Sequence, residues 1–121
     1  MRKLCIFILL LLASIPLSAQ NEAKANDLFQ SANYSGAMKE YGLLLKRYPS
    51  SALFAYRYAR CAQELGDYTT AIQYFKKSGN RYDLKHFNLG ESYLALFYPE
   101  EAIASYKAYL ATLAADSERI P

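Results

Sequence analysis

Apolar and small residues recur at helical spacing along this chain. Ala37, Tyr41, Leu44 and Tyr48 follow one another at steps of four, three and four residues, which places them on one face of an α-helix. Pro49 comes directly after them, and proline cannot continue a helix. The pattern therefore predicts an amphipathic helix that ends at Tyr48.

A small residue followed four positions later by an aromatic occurs three times. The three pairs are Ala37 and Tyr41, Ala71 and Phe75, and Ala102 and Tyr106. The alanines are 34 and then 31 residues apart. Another small residue stands twelve positions before each of them, namely Ala25, Ala59 and Gly90. Small residues let two antiparallel helices approach closely, and the aromatic a turn later fills the wider space beyond. A period in the thirties made of paired helices indicates an all-α solenoid.

These residues resemble the tetratricopeptide repeat (TPR) family, whose first helix carries a small residue and whose second carries a small residue and an aromatic. The middle copy matches through Tyr58-Ala59, Ala62, Gly66-Asp67-Tyr68, Ala71 and Phe75. The third matches at Leu89-Gly90, Tyr93, Ala102 and Tyr106, and the first at Ala25, Leu28, Tyr34, Ala37, Tyr41 and Pro49. The resemblance covers about residues 21–115 and implies six helices in about three helix-turn-helix repeats. It says little about function, because modules of this family mostly bind other proteins and the partner differs among them.

The pattern also sets the expected limits of the six helices. They are about 21–32, 34–48, 52–65, 68–77, 83–96 and 99–114. We expect Ser50 or Ser51 to cap the third helix, Gly66 to end it in a left-handed conformation, Tyr82 or Asp83 to start the fifth, and Pro99 to open the sixth. One TPR domain is expected over residues 20–116, in repeats of about 21–50, 51–80 and 81–115, with a tail at 117–121.

Residues 1–19 have the features of a secretory signal peptide. Arg2 and Lys3 precede the apolar run Leu4–Ala13, and the small-residue stretch Ser18-Ala19 comes later, which is the order found in such leaders. The apolar run is shorter than the about 20 residues that span a membrane. We expect cleavage after Ala19 and export to the periplasm or outer membrane of a bacterium, without membrane insertion afterwards. The alternative is an uncleaved segment that anchors the chain.

The charge balance argues against nucleic acid as a partner. The formal net charge is +3, of which Arg2 and Lys3 supply two, whereas nucleic-acid binding requires a clustered basic face. The densest basic patch, Lys76-Lys77 with Arg81 and Lys85, is interpreted as the solvated end of a helix, where cations are favoured.

No combination of residues suggests catalysis, a metal site or a cofactor. His86 is the single histidine, so a metal pair of histidines is impossible; it stands where the TPR family often has a large aromatic between helices, and we interpret it as structural. The glycines form no phosphate loop. Glu100 and Glu101 are adjacent and point in different directions on a helix, so they are no acid and base pair. We therefore expect no enzyme.

Cys61 is the one cysteine that remains after removal of the leader. A disulfide within the mature chain is then impossible. We interpret Cys61 as a small buried apolar residue, with an intermolecular disulfide or a reactive thiol as the alternative.

The resemblance implies a partner-binding surface on the concave face, which the first helix of each TPR repeat lines. The corresponding residues are Asn26, Phe29, Gln30, Tyr56, Arg60, Gln63, Glu64, Phe87, Glu91 and Leu94. Aromatics and arginine contribute much of the binding energy at protein interfaces, which favours a peptide groove. The alternative is that Phe29, Tyr56 and Phe87 merely pack against neighbouring helices.

A grip on a C-terminal carboxylate, used by some TPR domains, is not favoured. Asn26 matches one asparagine of that site, but Glu22 stands where a lysine is expected and Arg57 where an asparagine is expected.

We therefore expect an exported scaffold that binds a protein or peptide in the bacterial cell envelope. Leu43–Ser51 is similar to TPR variants of bacterial envelope proteins. No further helix is expected to shield Ile103, Tyr106 and Leu110. This leaves two alternatives: self-association through the last repeat, or a longer envelope protein of which this chain is the N-terminal module.

Overall fold

The computed structural model describes residues 17–79, 82 and 84–118. Within them the chain forms six α-helices: α1 Leu17–Gln30, α2 Tyr34–Arg47, α3 Ala52–Glu64, α4 Tyr68–Lys77, α5 Lys85–Ala95 and α6 Pro99–Glu118. The described residues contain no strand, so the all-α class expected from the apolar periodicity is confirmed. None of these helices is both long enough and apolar enough to cross a membrane.

The helix limits agree with expectation in the middle of the chain and differ towards its ends. α4 has the expected bounds, whereas α1 already begins at Leu17 and α6 continues to Glu118. The extension of α6 follows from its alanine-rich end, since alanine is the best helix former. α5 begins later than expected, at Lys85. Most of the expected leader, residues 1–16, lies outside the described residues, as does Asp83.

Three helices begin with the same side-chain cap. The side-chain oxygens of Asn33, Ser51 and Asp67 each accept a hydrogen bond from the backbone N–H three residues later, at 3.0, 3.2 and 3.2 Å. Each cap satisfies one N–H that a helix end would otherwise leave unpaired. Of the two serines expected to cap α3, Ser51 is the one that does so. At α5 the residue in the capping position is Leu84, which provides no side-chain cap.

Each repeat turns between its two helices through one residue in the left-handed conformation. Ala32, Gly66 and Phe97 have φ angles of 62°, 80° and 62°. In each turn the next N–H donates back to a carbonyl five positions earlier, for example from Asp67 to Ala62 at 2.9 Å. This helix ending favours glycine, and the expectation for Gly66 is confirmed.

The helices stack in chain order, as expected of a solenoid. Each helix packs against its neighbours in sequence, and α3 also contacts α5. We call the side formed by the first helices of the repeats, α1, α3 and α5, the first-helix face.

The apolar residues of the core are those that the repeat pattern predicts, whereas Lys85, interpreted above as part of a solvated helix end, is buried at the start of α5. One core cluster contains Ala25, Ala37, Tyr41, Leu44 and Cys61, and a second contains Ala59, Ala62, Ala71, Phe75 and Leu89. Met38 packs against both clusters and so joins the first two repeats.

Gly90 allows the closest helix approach in the third repeat. A Cβ atom there would lie 2.6 Å from Cε1 of Tyr106, so the aromatic ring of α6 rests directly on the backbone of α5. In the two earlier repeats alanine suffices at the equivalent positions, Ala25 and Ala59.

Candidate partner-binding site

Two adjoining hollows lie on the first-helix face, and Arg60 lines both. The α1/α3 hollow has a volume of ≈ 310 Å³ and the α3/α5 hollow one of ≈ 560 Å³. The ten residues expected on the concave face all line one or both: Asn26, Phe29, Gln30, Tyr56 and Arg60 the first, and Arg60, Gln63, Glu64, Phe87, Glu91 and Leu94 the second. The fold thus brings together every residue that the TPR positions singled out.

Further residues line these hollows although the family positions did not point to them. Tyr41 and Arg57 line the α1/α3 hollow, and Asn88 lines the α3/α5 hollow. Arg57 and Asn88 are each one residue away from a predicted position on the same helix, Tyr56 and Phe87. Arg57 and Asn88 were missed because only the exact family positions were considered, whereas the band of residues that lines the hollows is wider.

A polar network centred on Asn26 connects α1, α2 and α3. Nη1 of Arg57 donates to Oδ1 of Asn26 at 2.7 Å and to Oε1 of Glu22 at 3.3 Å. The hydroxyl of Tyr41 donates to the same Oδ1 atom. This side-chain oxygen therefore already accepts hydrogen bonds from two donors. Carboxylate-binding TPR domains have a lysine and an asparagine where this chain has Glu22 and Arg57, and here these two side chains form an ion pair with each other.

A second network joins α3 to α5. Nε2 of Gln63 donates to the backbone oxygen of Asn88 at 3.0 Å and to Oγ of Ser92 at 3.2 Å, while Nδ2 of Asn88 donates to the hydroxyl of Tyr56 at 3.2 Å. Because Asn88 and Ser92 are buried, these bonds hold the floor of the α3/α5 hollow and the register between two repeats.

Arg60 stands at the junction of the hollows with its charge partly neutralised. Its guanidinium donates to Oε1 of Gln63 at 2.7 Å and lies 3.4 Å from Oε1 of Glu64. Part of the side chain remains exposed, so a partner could reach it from the solvent side.

The three aromatics of the expected groove all pack against neighbours. Phe29 meets Tyr34 edge-on at 5.3 Å between ring centroids, Tyr56 stacks on Tyr82 at 4.6 Å, and Phe87 lies 5.5 Å from Tyr109. Each ring thus has a packing contact of the kind that the structural alternative expects. Phe87 and Leu94 nevertheless keep 38% and 53% of their surface exposed, which leaves them accessible as apolar contacts.

Burial also shifts the pKa of one phenol on this face and of one on the neighbouring helix α6. Burial raises the pKa of Tyr56, partly offset by the charge of Arg60. Burial, a hydrogen bond to Glu91 and the negative charge of that carboxylate raise the pKa of Tyr106 to about 12. Both phenols are therefore neutral near pH 7 and serve as hydrogen-bonding groups.

The single histidine and Cys61 are placed as structural residues. Cys61 is a free, fully buried thiol whose pKa burial raises to about 12, so it is protonated and inaccessible at neutral pH. His86 is half-buried on α5, and burial together with the charge of Lys85 lowers its pKa. Among the described residues no cluster of three or more histidines, cysteines or carboxylates has the geometry of a metal site.

Comparisons with known proteins agree with this architecture. Family models of the tetratricopeptide repeat match residues 22–80 and residues 86–111. Among solved structures, the Arabidopsis OM64 TPR domain is similar, with a TM-score of 0.73 at 19% identity over 78% of this chain and 81% of that one. No curated protein sequence matches the chain significantly. The two repeat matches identify this chain as a tetratricopeptide-repeat protein, a class whose members generally serve as scaffolds for protein–protein interaction.

Proposed function

We propose that this protein is an exported scaffold that binds a partner protein or peptide of the bacterial cell envelope along the first-helix face. The observation that carries the proposal is the convergence of all ten expected residues on two adjoining hollows with Arg60 between them. Volumes of ≈ 310 and ≈ 560 Å³ are in the range of sites that take a ligand's side chains. Export rests on the leader pattern at residues 1–19 alone.

The residues of this face divide into two roles. Tyr56, Gln63 and Asn88 are engaged in the network between α3 and α5 and give the hollow its shape. Arg60 is partly exposed and Phe87 and Leu94 are exposed, and arginine and aromatic side chains are enriched among the residues that contribute most binding energy at interfaces. We therefore assign recognition to these three residues and support to the first three.

Substitution of the accessible residues tests this assignment. The full chain, its Arg60→Ala and Leu94→Ala double variant and a Lys107→Ala control on α6 would be cross-linked in the native envelope fraction. Captured proteins would be identified by mass spectrometry, and the partner's affinity then titrated. The double variant should bind the partner at least about tenfold more weakly, with unchanged helical content, while the control binds normally. Equal binding by all three proteins would remove the first-helix face from the proposal.

Location and processing are tested separately. Cell fractionation of the full chain should place it in the periplasm or with the outer membrane, and its intact mass should correspond to a chain that starts at Gln20. A full-length mass in the inner membrane would instead favour an uncleaved anchor. Recovery in the cytoplasm would reject export.

The surface of α6 favours a second candidate function, self-association. Ile103, Leu110 and Leu113 are 54%, 62% and 45% exposed, and no helix follows α6 within the described residues to cover them. Sedimentation velocity over a wide concentration range would show a dimer that Leu110→Glu dissociates. A monomer at every concentration would reject this candidate.

A further inference from the structure

We propose that the chain has a second docking site, separate from the first-helix hollows, which takes an acidic amphipathic helix of a partner protein. The site is a groove of ≈ 640 Å³ between α2 and α4, here called the α2/α4 groove, whose apolar lining includes Met38, Leu43, Tyr58, Leu65 and Tyr74. It continues past Leu45 and Tyr74 into a second depression of ≈ 430 Å³ that reaches Lys77. It shares no lining residue with either hollow of the first-helix face, so it can be occupied independently.

Aromatic and aliphatic side chains form the floor and walls of the groove. The rings of Tyr58 and Tyr74 lie 4.5 Å apart between centroids, and Leu43 and Leu65 are each 49% exposed. Exposed leucines beside a pair of aromatic rings make an apolar strip that a partner's side chains can cover.

The charge along the groove is of one sign. Lys39, Lys46 and Lys77 line it, and no carboxylate does. None of these lysines forms an ion pair with a residue that the structure describes, although Nζ of Lys77 lies 4.7 Å from the ring centroid of Tyr74. Asp67 acts electrostatically on Tyr58, but its carboxylate is engaged as the cap of α4.

The first-helix face differs in this respect. There Arg57 is paired with Glu22 at 3.3 Å and Arg60 with Glu64 at 3.4 Å. The helix dipole accounts for lysines in the last turn of α2 and α4, but it does not account for Lys39 in the body of α2. An acidic partner would complement all three lysines of the groove.

The absence of a side chain at Gly42 is the feature of the groove that favours a bound ligand. Gly42 lies inside α2, where glycine destabilises a helix relative to alanine. The packing does not require it, because a Cβ there would meet only Cε2 of Tyr58 at 3.4 Å, an ordinary contact. Glycine leaves the part of α2 beside the Tyr58 ring without a side chain. The contrast with Gly90, whose Cβ would overlap Tyr106, shows that the two glycines serve different purposes.

The dimensions favour a helix as the occupant. α2 has 14 residues and α4 has 10, so the groove between them is about 15–20 Å long at 1.5 Å per residue. An amphipathic helix of about three turns, with apolar residues on one side and glutamates on its flanks, would lie between the two helices and bring its carboxylates to the lysines. A membrane surface would meet the lysines but not the recessed Tyr58 ring.

The test uses a defined probe and the full chain. A fluorescent 14-residue helical peptide with leucines along one face and glutamates on the other would be titrated by anisotropy, beside a matched peptide with lysines in place of the glutamates. The glutamate peptide should bind at least tenfold more tightly, and added salt should reduce the difference. Lys39→Glu with Lys46→Glu should reverse the preference, whereas Lys107→Glu on α6 should leave it unchanged.

Gly42→Leu separates binding from folding. The leucine places a side chain beside the Tyr58 ring, so the glutamate peptide should lose at least tenfold in affinity while the melting temperature stays equal or rises. The Arg60→Ala and Leu94→Ala variant should bind this peptide normally, because it alters only the first-helix face. Equal binding of the two peptides, or full binding by Gly42→Leu, would overturn the proposal. Binding of the chain to phosphatidylglycerol vesicles that depends on the lysines but not on Gly42 would overturn it as well, by assigning the charge to a lipid surface.

Discussion

The middle repeat and the third repeat carry the same motif but are covered differently. In the middle repeat Phe75 is fully buried between α3 and the following repeat, whereas Tyr106 at the same motif position is only partly buried and reaches Glu91 at the surface. No repeat stacks on α6 within the described residues. The motif therefore brings the aromatic to the helix crossing, and the next repeat completes its burial, as nearest-neighbour stability in solenoids requires.

The turn of the middle repeat is also less strained than the turn of the third repeat. Gly66 occupies the left-handed position of the middle repeat at no steric cost, while the third repeat places Phe97 there at φ 62° with 89% of its surface exposed. α4 has the Asp67 cap, and α5 has no side-chain cap. The middle repeat therefore has more stabilising turn and cap residues than the third. We expect the third repeat to unfold first.

Truncating the core aromatics should give the largest contrast. Phe75→Ala should lower the free energy of unfolding by about 3–5 kcal/mol, and Tyr106→Ala by roughly half as much, because less of its ring is buried. Urea denaturation measures both. Similar losses in both variants would contradict the difference between the repeats.

Gly90→Ala should be the next largest effect. The added Cβ overlaps the Tyr106 ring, and relief of such overpacking costs about 1–3 kcal/mol. In a Tyr106→Leu background the same change should become neutral or stabilise by up to about 1 kcal/mol, because alanine is the better helix former. Thermal unfolding of this double-mutant cycle measures the coupling. A loss that persists without Tyr106 would mean that the ring is not the cause.

Exchanging the turn residues should produce a smaller and opposite pair of changes. Gly66→Ala places a Cβ in the left-handed region and should destabilise by about 1 kcal/mol. Phe97→Gly removes that strain but makes the unfolded chain more flexible, so we expect a net gain of about 0.5 kcal/mol. Melting temperatures of the two variants check the sign, and a loss in Phe97→Gly would show that the phenyl ring makes a stabilising contact.

The last expected effect is a pH dependence of the third repeat, which is confined to alkaline solution. Folding raises the pKa of Tyr106 from 10 to about 12, so the folded state retains a proton that the unfolded state releases. The corresponding stability is complete below pH 10 and is lost as the pH rises towards 12. Tyr106→Phe should flatten the stability curve in this window relative to the unsubstituted protein. Parallel curves for the two proteins would mean that Tyr106 does not titrate as described.

The repeat pattern alone was sufficient for much of the fold. The Ala71 and Phe75 spacing predicted the helix crossings, and Ser51, Gly66 and Pro99 marked helix ends, because capping and turn chemistry are local properties of the backbone. The ten residues of the first-helix face also came from position in the repeat. Their roles did not, since the hydrogen bonds of Gln63 and Asn88 join residues about 25–32 positions apart.

The sequence by itself determined that this chain is a stack of paired helices with alanines and aromatics at the crossings, because helical periodicity depends only on residue spacing. Only the tertiary structure decided which charges are paired, why Gly90 is required and Gly42 is not, and where apolar surface stays open. These properties depend on distances between separate helices. Such distances are set by the packing of whole repeats, and no local pattern encodes them.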